Sequence, residues 1–547
     1  MQSERIAEQN ALLSHFAFER INRTPALAAR FRAVKEVSGY GELLKYCNDP
    51  SARIRREAAK RLSVFISEPV VLAVLRDMVK DQDAQVRWFA ALALGKAEPA
   101  ECREQIISAI RSRNVEQWLL ASLLQRQAVL PETRPLLLAG EEAADPIRNI
   151  ALYLLGRSGD LTYVFRHVAD RSAALRDTVL TFANQEGERE IVSLLAEDAD
   201  IDIASRARRL LGQEQTRFLN CGIPLDRLSA VLLAEAIGDA LGAPVEFSTL
   251  AQIEQLKTID DYLQDPVRPL APGDYTDDTQ MALMVARSLI RTGTIDPADV
   301  AEVFAAFCLS LDLGEIRNVG YSPTTLSSFR QLYAGQNWRF SGQKSNGCGP
   351  STAVVPLGLV VEDLEALKQA VAKVTLITKT GAESLAGALA ISYLVHQGVR
   401  DHLPDSPTAI IDETADFVRS ASSIMANEID RLKSLLSLST RAGLNLIPSQ
   451  ADGKKVLVGM RALGVVSSAI YAAVKNLDNF EQTVKATLAT EGDTDSIACL
   501  AAVINAARLG LTSIPAHWLA GLIEQQSIGE IAQKLKFLPE FNDKHTG

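Results

Sequence analysis

The chain has 547 residues, with 57 basic against 67 acidic side chains, a net charge of −10 with histidine neutral. Its 47% hydrophobic and 23% charged residues are ordinary globular composition, and at roughly 150 residues per domain the length predicts about two to four domains. The acidic balance argues against a nucleic-acid coat over the whole chain, although one basic face can hide within it; aromatic residues at 6% and recurrent Ala-Leu runs favour helices over a β-sandwich.

The N-terminal MQSERIAEQN has no apolar signal core. Beyond it a pattern recurs. SARIRREAAKRL (51–62), AQVRWFAALALG (84–95) and DPIRNIALYLLG (145–156) each place an aliphatic residue before Arg, and Ala three positions after it. The pairs are Ile54–Arg55, Val86–Arg87 and Ile147–Arg148, followed by Ala58, Ala90 and Ala151. A degenerate copy starts at Trp118, and two more fit at Leu175–Arg176 and near Ile203. A spacing of about 28 to 32 residues is the length of a two-helix unit in a stacked solenoid, and the motif resembles HEAT repeats. The arginine ladder has two readings. In one, each arginine pairs with an acid of a neighbouring repeat. In the other, Arg53, Arg55, Arg56, Lys60 and Arg61, with Arg206, Arg208 and Arg209, form a basic face for phosphate or an acidic partner.

QEQTRFLNCGIPLDRL breaks the repeat with Gly222 and Pro224. The predicted organisation is therefore a helical repeat domain over 1–215, a linker over 216–226, a compact all-α domain over 227–525 and a tail over 526–547. The most apolar helical stretch, 497–511, contains Asn505 and Arg508 and is too short to span a bilayer. Cys47, Cys102, Cys221, Cys308, Cys348 and Cys499 form no CxxC pair and do not cluster with histidine, which argues against zinc or disulfides. The expectation is a soluble protein of a reducing compartment, the cytoplasm, with no membrane partner.

Chemistry concentrates in the second domain. GDYTDDTQMALMVARSLI (273–290) and EGDTDSIACLAAVINAARLG (491–510) each place carboxylates and hydroxyls where an apolar helix begins; IGDALGAPVEF (237–247) adds Asp239 and Glu246. Capping accounts for one such side chain per helix. Two loops that each bring two carboxylates and a hydroxyl exceed that need. Crowded carboxylates raise one another's pKa unless a cation neutralises them, and oxygen-only donors suit a hard ion such as Mg²⁺ or Mn²⁺.

The ordered set GDALGAPVE, YTDDTQMAL, GCGPSTAVVPLGL, LAGALAISYLVH and EGDTDSIACLAAV resembles the ADP-ribosylglycohydrolases, including the dinitrogenase-reductase-activating glycohydrolase and crystallin J1-like types. The resemblance covers roughly 300 residues. It implies an all-α fold with a binuclear Mg²⁺ centre and hydrolysis at C1″ of ADP-ribose linked to a protein side chain, most often Arg or Ser. Thr276, Asp277 and Asp278 match the first ligand loop; Asp493, Asp495 and Ser496 match the second; Glu246 matches an acid that approaches the metal and gates it. Asp278, Asp495 and Glu246 are the candidates for the base. Gly347, Cys348 and Gly349 can bring backbone N–H groups to a pyrophosphate, and Tyr321 or Trp338 is an aromatic that could stack on adenine.

Two departures stand out. Thr352 and Ala353 occupy positions where the family usually has Met and Arg, and Lys379 stands where the family often has His beside the substrate. Lys keeps a donor and adds charge, which suits a phosphate. His396 and His402 read as structural. The expected partner is an ADP-ribosylated protein or other macromolecule, nucleic acid being the weaker candidate. An ADP-ribosyltransferase toxin docked on the repeats is a further expectation, with reversal of, or immunity to, the toxin as the setting. The competing reading is a non-catalytic binder or blocker of ADP-ribosylated or ADP-ribosylating partners.

Overall fold

A computed structural model describes residues 2–21, 25–213, 222–313, 316, 319–447 and 460–537. Helices make up the fold. Among the described residues no β-sheet forms, and only two isolated bridges occur, Gln343 with Lys379 and Gly347 with Arg461. The chain divides into two compact units: one joins Glu19–Gln215 with Arg330–Phe340, and the other joins Met1–Phe18, Thr216–Phe329 and Ser341–Gly547.

In the first unit the repeated motif becomes a series of helices, Ala52–Leu62, Ala84–Leu94, Val115–Leu124, Asp145–Arg157, Ala173–Glu186 and Ile201–Leu210, each packed on the next. The small Ala58, Ala90 and Ala151 are buried between neighbours, as are the aliphatic Ile54, Val86, Ile147, Leu175 and Ile203. Apolar burial of this kind stabilises by about 25 cal/mol per Å². The arginines then stitch one repeat to the next. Arg55 donates to both oxygens of Asp81 at 2.7 and 2.8 Å and to the Asp49 carbonyl at 2.8 Å. Arg176 repeats this with Asp198, at 2.7 Å to each oxygen, and with the Asp170 carbonyl at 2.6 Å. Arg87 pairs with Glu116, Arg148 with Asp170 and Arg206 with Asp177. Three of these aspartates are fixed by their own turns: Asp83 N–H donates to Asp81, Ser172 N–H to Asp170 and Asp200 N–H to Asp198. Two-pronged charge-assisted bonds of this sort set register as well as energy. Pairing across repeats is thus what the ladder arginines do.

The division differs from the sequence boundary at 215 in two places. The first helix, Gln2–Ile21, belongs at its start to the second unit: Arg5 pairs with Asp260 at 2.8 Å, and Gln9 donates to the Leu256 carbonyl at 2.6 Å. Conversely, Arg330–Phe340 packs with the repeats. There Asn337 and Arg339 donate to Asp177 at 2.9 and 3.1 Å, and Arg339 reaches Asp200 at 2.9 Å.

The second unit is built on the crossing of two apolar helices, Leu225–Gly242 and Thr494–Leu509, both buried along most of their length. Glycine permits the crossing. A Cβ on Gly238 would stand 2.5 Å from the Ala498 carbonyl oxygen, and one on Gly242 would stand 2.5 Å from Asp495 Cα. The sequence reading places the apolar maximum at 497–511; the longer apolar helix is instead Leu225–Val245. It is long and apolar enough to cross a membrane by length and composition, and 94% of its apolar window is buried inside the protein. Asp277–Thr292, Ala382–Val399 and Ala462–Lys475 surround the pair, and the described part of the tail forms the helix Gln525–Lys536. Residues 216–221 of the expected linker, with Cys221, and residues 538–547 of the tail lie outside the described residues.

Candidate active site

The close crossing puts the start of Thr494–Leu509 beside the end of Leu225–Gly242, so Asp239 and Glu246 meet the GDTDS loop. Asp239 is fully buried and organises the other acidic loop from behind: it accepts from the backbone N–H groups of Thr276 and Thr279 at 3.1 Å and from the Thr279 hydroxyl at 2.6 Å. Those bonds consume it as an acceptor and leave the next residues, Asp277 and Asp278, facing a cavity. Gly320 makes room for them, since a Cβ there would come within 2.1 Å of Asp277 Oδ1.

The cavity is about 560 Å³ and is lined by Glu246, Asp277, Asp278, Asp493, Asp495 and Ser496, by Gly347, Cys348 and Gly349, and by Lys379. The two acidic loops, 217 residues apart in sequence at their aspartates, therefore converge: Ser496 donates to Asp278 at 2.6 Å, and Cys348 Sγ lies 3.2 Å from Asp493 Oδ2. Glu246, Asp493 and Asp495 hold carboxylate oxygens within 4.8 Å of one another. Thr276 lies fully buried behind this floor. Tyr321 does not line the cavity. Its hydroxyl donates to Gln280 at 3.0 Å and its ring packs between Phe307 and Phe329, so it serves the aromatic core. Trp338 packs under Arg339 among the repeats. His396 is spent on the Glu362 carbonyl at 2.9 Å and on Gln397.

Capping does not explain the loops. Thr276 and Asp493 occupy the N-cap positions of their helices, yet neither side chain makes a capping hydrogen bond. Thr276 Oγ1 is buried with no hydrogen-bond partner at all, a costly state for a hydroxyl. Burial, then the charge of Asp495, pushes Asp239 up to about 6 and Asp277 up to about 7; burial, then Asp277 and Asp239, drives Asp278 far above the usual carboxylate range. An orphaned hydroxyl among crowded carboxylates, with an all-oxygen donor set, fits a hard divalent cation.

Sequence reasoning missed several residues. Arg268, in the unremarkable DPVRPL, donates to Glu246 at 2.8 Å and to Asp265 at 2.7 Å, and reaches Asp495 at 3.3 Å. Burial opposes its charge, but Asp495, Glu246 and Asp265 hold it above the usual range. Glu235, one helical turn before Asp239, is almost completely buried, and neither carboxyl oxygen has a partner. Burial, then Asp278 and Asp239, raises it well above the usual carboxylate range. Thr352 donates to Asp278 at 3.0 Å, so the first departure touches the acidic loop directly.

The sequence model of the ADP-ribosylglycohydrolases matches residues 222–545, more than half of the chain. The chain belongs to the ADP-ribosylglycohydrolase family. ADP-ribosylhydrolase ARH3 of Danio rerio is 24% identical to it over 355 residues, covering 58% of this chain and 93% of that protein. ADP-ribosylarginine hydrolase Tri1 of Serratia proteamaculans is 24% identical over 361 residues, covering 61% and 87%. ADP-ribosyl-(dinitrogen reductase) glycohydrolase of Rhodospirillum rubrum is 40% identical over 119 residues, covering 20% and 40%. A chain of a solved ADP-ribosylglycohydrolase-related protein complex aligns with TM-score 0.45 and 23% identity over 57% of this chain and 98% of that one. In this chain the second departure, Lys379, is 2% exposed and donates to the Thr325 hydroxyl at 3.1 Å and to Thr324.

Proposed function

We propose that the protein is a divalent-metal-dependent hydrolase that removes ADP-ribose from a modified macromolecule by cleavage at C1″ of the distal ribose, with an arginine or serine side chain as the leaving group. The observation that carries this reading is the convergence of the two acidic loops on one cavity around a buried, unpartnered Thr276 hydroxyl. Thr276, Asp277, Asp278, Asp493, Asp495 and Ser496 would hold Mg²⁺, as two ions, with Mn²⁺ as the alternative, and the metal would supply positive charge that fixes the ribose hydroxyls.

The protein's own groups then position and move protons. Asp278 is held on both oxygens, by Ser496 and Thr352, which suits it to a fixed ligand. Glu246 stands at the cavity wall in an ion pair with Arg268 at 2.8 Å, which orients it. We assign Glu246 as the base: water attacks C1″ and forms the new C–O bond. Its proton passes to Glu246 and on from Glu246 to the leaving nitrogen or oxygen as that bond breaks, so the leaving atom departs protonated and Glu246 ends as it began. The five described cysteines are free and buried, which suits a reducing compartment, the cytoplasm. The HEAT-like repeats would present the modified macromolecule, and reversal of an ADP-ribosyltransferase toxin is a setting that suits this division of labour.

The test is turnover of ADP-ribosylated arginine, serine and nucleic-acid substrates with Mg²⁺ and with excess chelator. Asp493→Asn should lower kcat at least about a hundredfold, the scale of a lost electrostatic contact in a buried site, with the circular dichroism spectrum unchanged. Full activity in chelator would sink the reading. Binding of ADP-ribose without turnover of any substrate would favour the non-catalytic binder, for which Thr352, Ala353 and Lys379 are the motivating departures.

A further inference from the structure

The ladder arginines are paired, but a second set of cations in the repeat unit is not. Arg53, Arg56, Lys60, Arg126 and Arg157 form no ion pair among the described residues. Each is instead laid on an aromatic ring or a neutral acceptor. Arg53 lies 4.0 Å from the Phe31 ring centre, Lys60 lies 5.9 Å from that of Phe89, and Arg56 donates to Gln85. Arg126 lies 4.4 Å from the Tyr333 ring centre, and Arg157 lies 5.8 Å from that of Tyr153 and donates to the Arg126 carbonyl. Between the two groups Arg330 covers Trp88 and Phe89 at 5.7 and 5.0 Å. Arg330 is itself buried, so the segment 330–340 backs a basic surface formed by the cations of the repeats.

Three features set this surface apart from an ordinary solvated face. It concentrates positive charge in a chain whose net charge is −10. Its cations repel one another: burial, then Arg330 and Arg53, lowers the Arg56 pKa, and burial and Arg157 lower that of Arg126. And it is linear. The cations come from Ala52–Leu62, from the residues just after Val115–Leu124 and from Asp145–Arg157, members of one stacked series. At about 8 to 10 Å per helix contact the row runs for about 25 to 30 Å. Guanidinium groups stacked on rings are preorganised for phosphate, and a row suits a chain of phosphates better than a single one.

We propose that this face of the repeat unit binds the phosphate backbone of a single-stranded nucleic acid. The aromatic rings are already covered by cations, so recognition runs through the backbone and is indifferent to base sequence. The surface stands independently of the hydrolase reading, because none of its residues lines the catalytic cavity.

The test is fluorescence anisotropy of the full-length protein with labelled 20-nucleotide DNA and RNA strands across 50 to 200 mM salt. Neutralising five phosphates gives a slope of log K against log salt of about −3.5. Arg126→Gln with Arg157→Gln should weaken binding about tenfold at 50 mM salt and make the slope shallower by about 1.4, leaving turnover of small ADP-ribose conjugates unchanged. Arg87→Gln, which breaks a paired ladder arginine, should leave the slope alone, and a melting curve on each variant separates lost charge from lost fold. No binding by the wild-type protein at 50 mM salt overturns the proposal. So does binding that ignores the double substitution, or a strand displaced equally well by polyglutamate, which would make the face a site for acidic protein.

Discussion

Lys379 shows at the scale of one residue what a buried charge costs this site. A buried ammonium is expensive without a counter-charge, and the acceptors recorded for this one are the hydroxyls of Ser322, Thr324 and Thr325. Burial pulls its pKa down to about 8, while Cys348 and Asp277 act in the opposite direction, so it is still mostly charged at pH 7. The unfolded chain keeps the proton up to about 10.4, so between about 8 and that value the unfolded state binds more protons, and stability rises with pH. Lys379→Met should therefore raise the melting temperature at pH 7 and flatten its increase towards pH 10. If the proposed function holds and Lys379 meets a phosphate of the substrate, the same variant should raise KM about tenfold, or about 1.4 kcal/mol, with a smaller change in kcat. Steady-state kinetics beside thermal melting checks both signs. A variant that melts higher but keeps its KM would leave Lys379 without a role in binding.

Elements explain why the acidic loops were readable from sequence and their supports were not. TDDT and DTDS are local: several donors in four residues at the start of an apolar helix exceed what capping uses, and both helices begin there, at Asp277 and Thr494. Arg268 and Glu235 carry no local signature. Arg268 matters because it reaches Asp495, 227 positions away, and Glu235 because the helix crossing seals it from water. Tyr321 misled for the same reason: an aromatic near a loop looks available until Phe307 and Phe329 close over it. The crossing itself hangs on two glycines. Gly238→Ala drives a methyl group against the Ala498 carbonyl, so the helices must part and the acidic loops with them. Overpacking of this kind costs about 1 to 3 kcal/mol. The expected outcome is a lower melting temperature together with loss of metal-dependent activity, whereas another helical substitution, Gly529→Ala, with nothing within 4 Å of its Cβ, should keep activity and leave the melting temperature no lower.

At the scale of the whole molecule the all-α class and the repeat period were legible, because both rest on periodicity and on small residues at packed positions. The partition of the chain was not. Residues 1–18 and 330–340 change units because of partners 255 and 160 positions away, Asp260 for Arg5 and Asp177 for Asn337. No period or composition shift announces such a pairing. The segment 330–340 is fastened to the repeats by neutral hydrogen bonds, through Asn149, Gln336 and the Ala174 carbonyl, and by hydrogen bonds to charged groups. Asp177 accepts from Asn337, Arg339 and Arg206, and Asp200 from Arg339. Bonds to charged partners are worth about 1.5 to 3 kcal/mol each, so Asn337→Ala with Arg339→Ala should loosen the segment while the ladder pairs hold the repeats together. Hydrogen exchange should then accelerate across 330–340 and leave Ala84–Leu94 protected. Because Arg330 and Tyr333 lie within the same segment and back the basic face, strand binding should fall with it. Unchanged protection of 330–340 in the double variant would mean that ring stacking on Arg126, Trp88 and Phe89, rather than the Asp177 pairs, holds this segment in place.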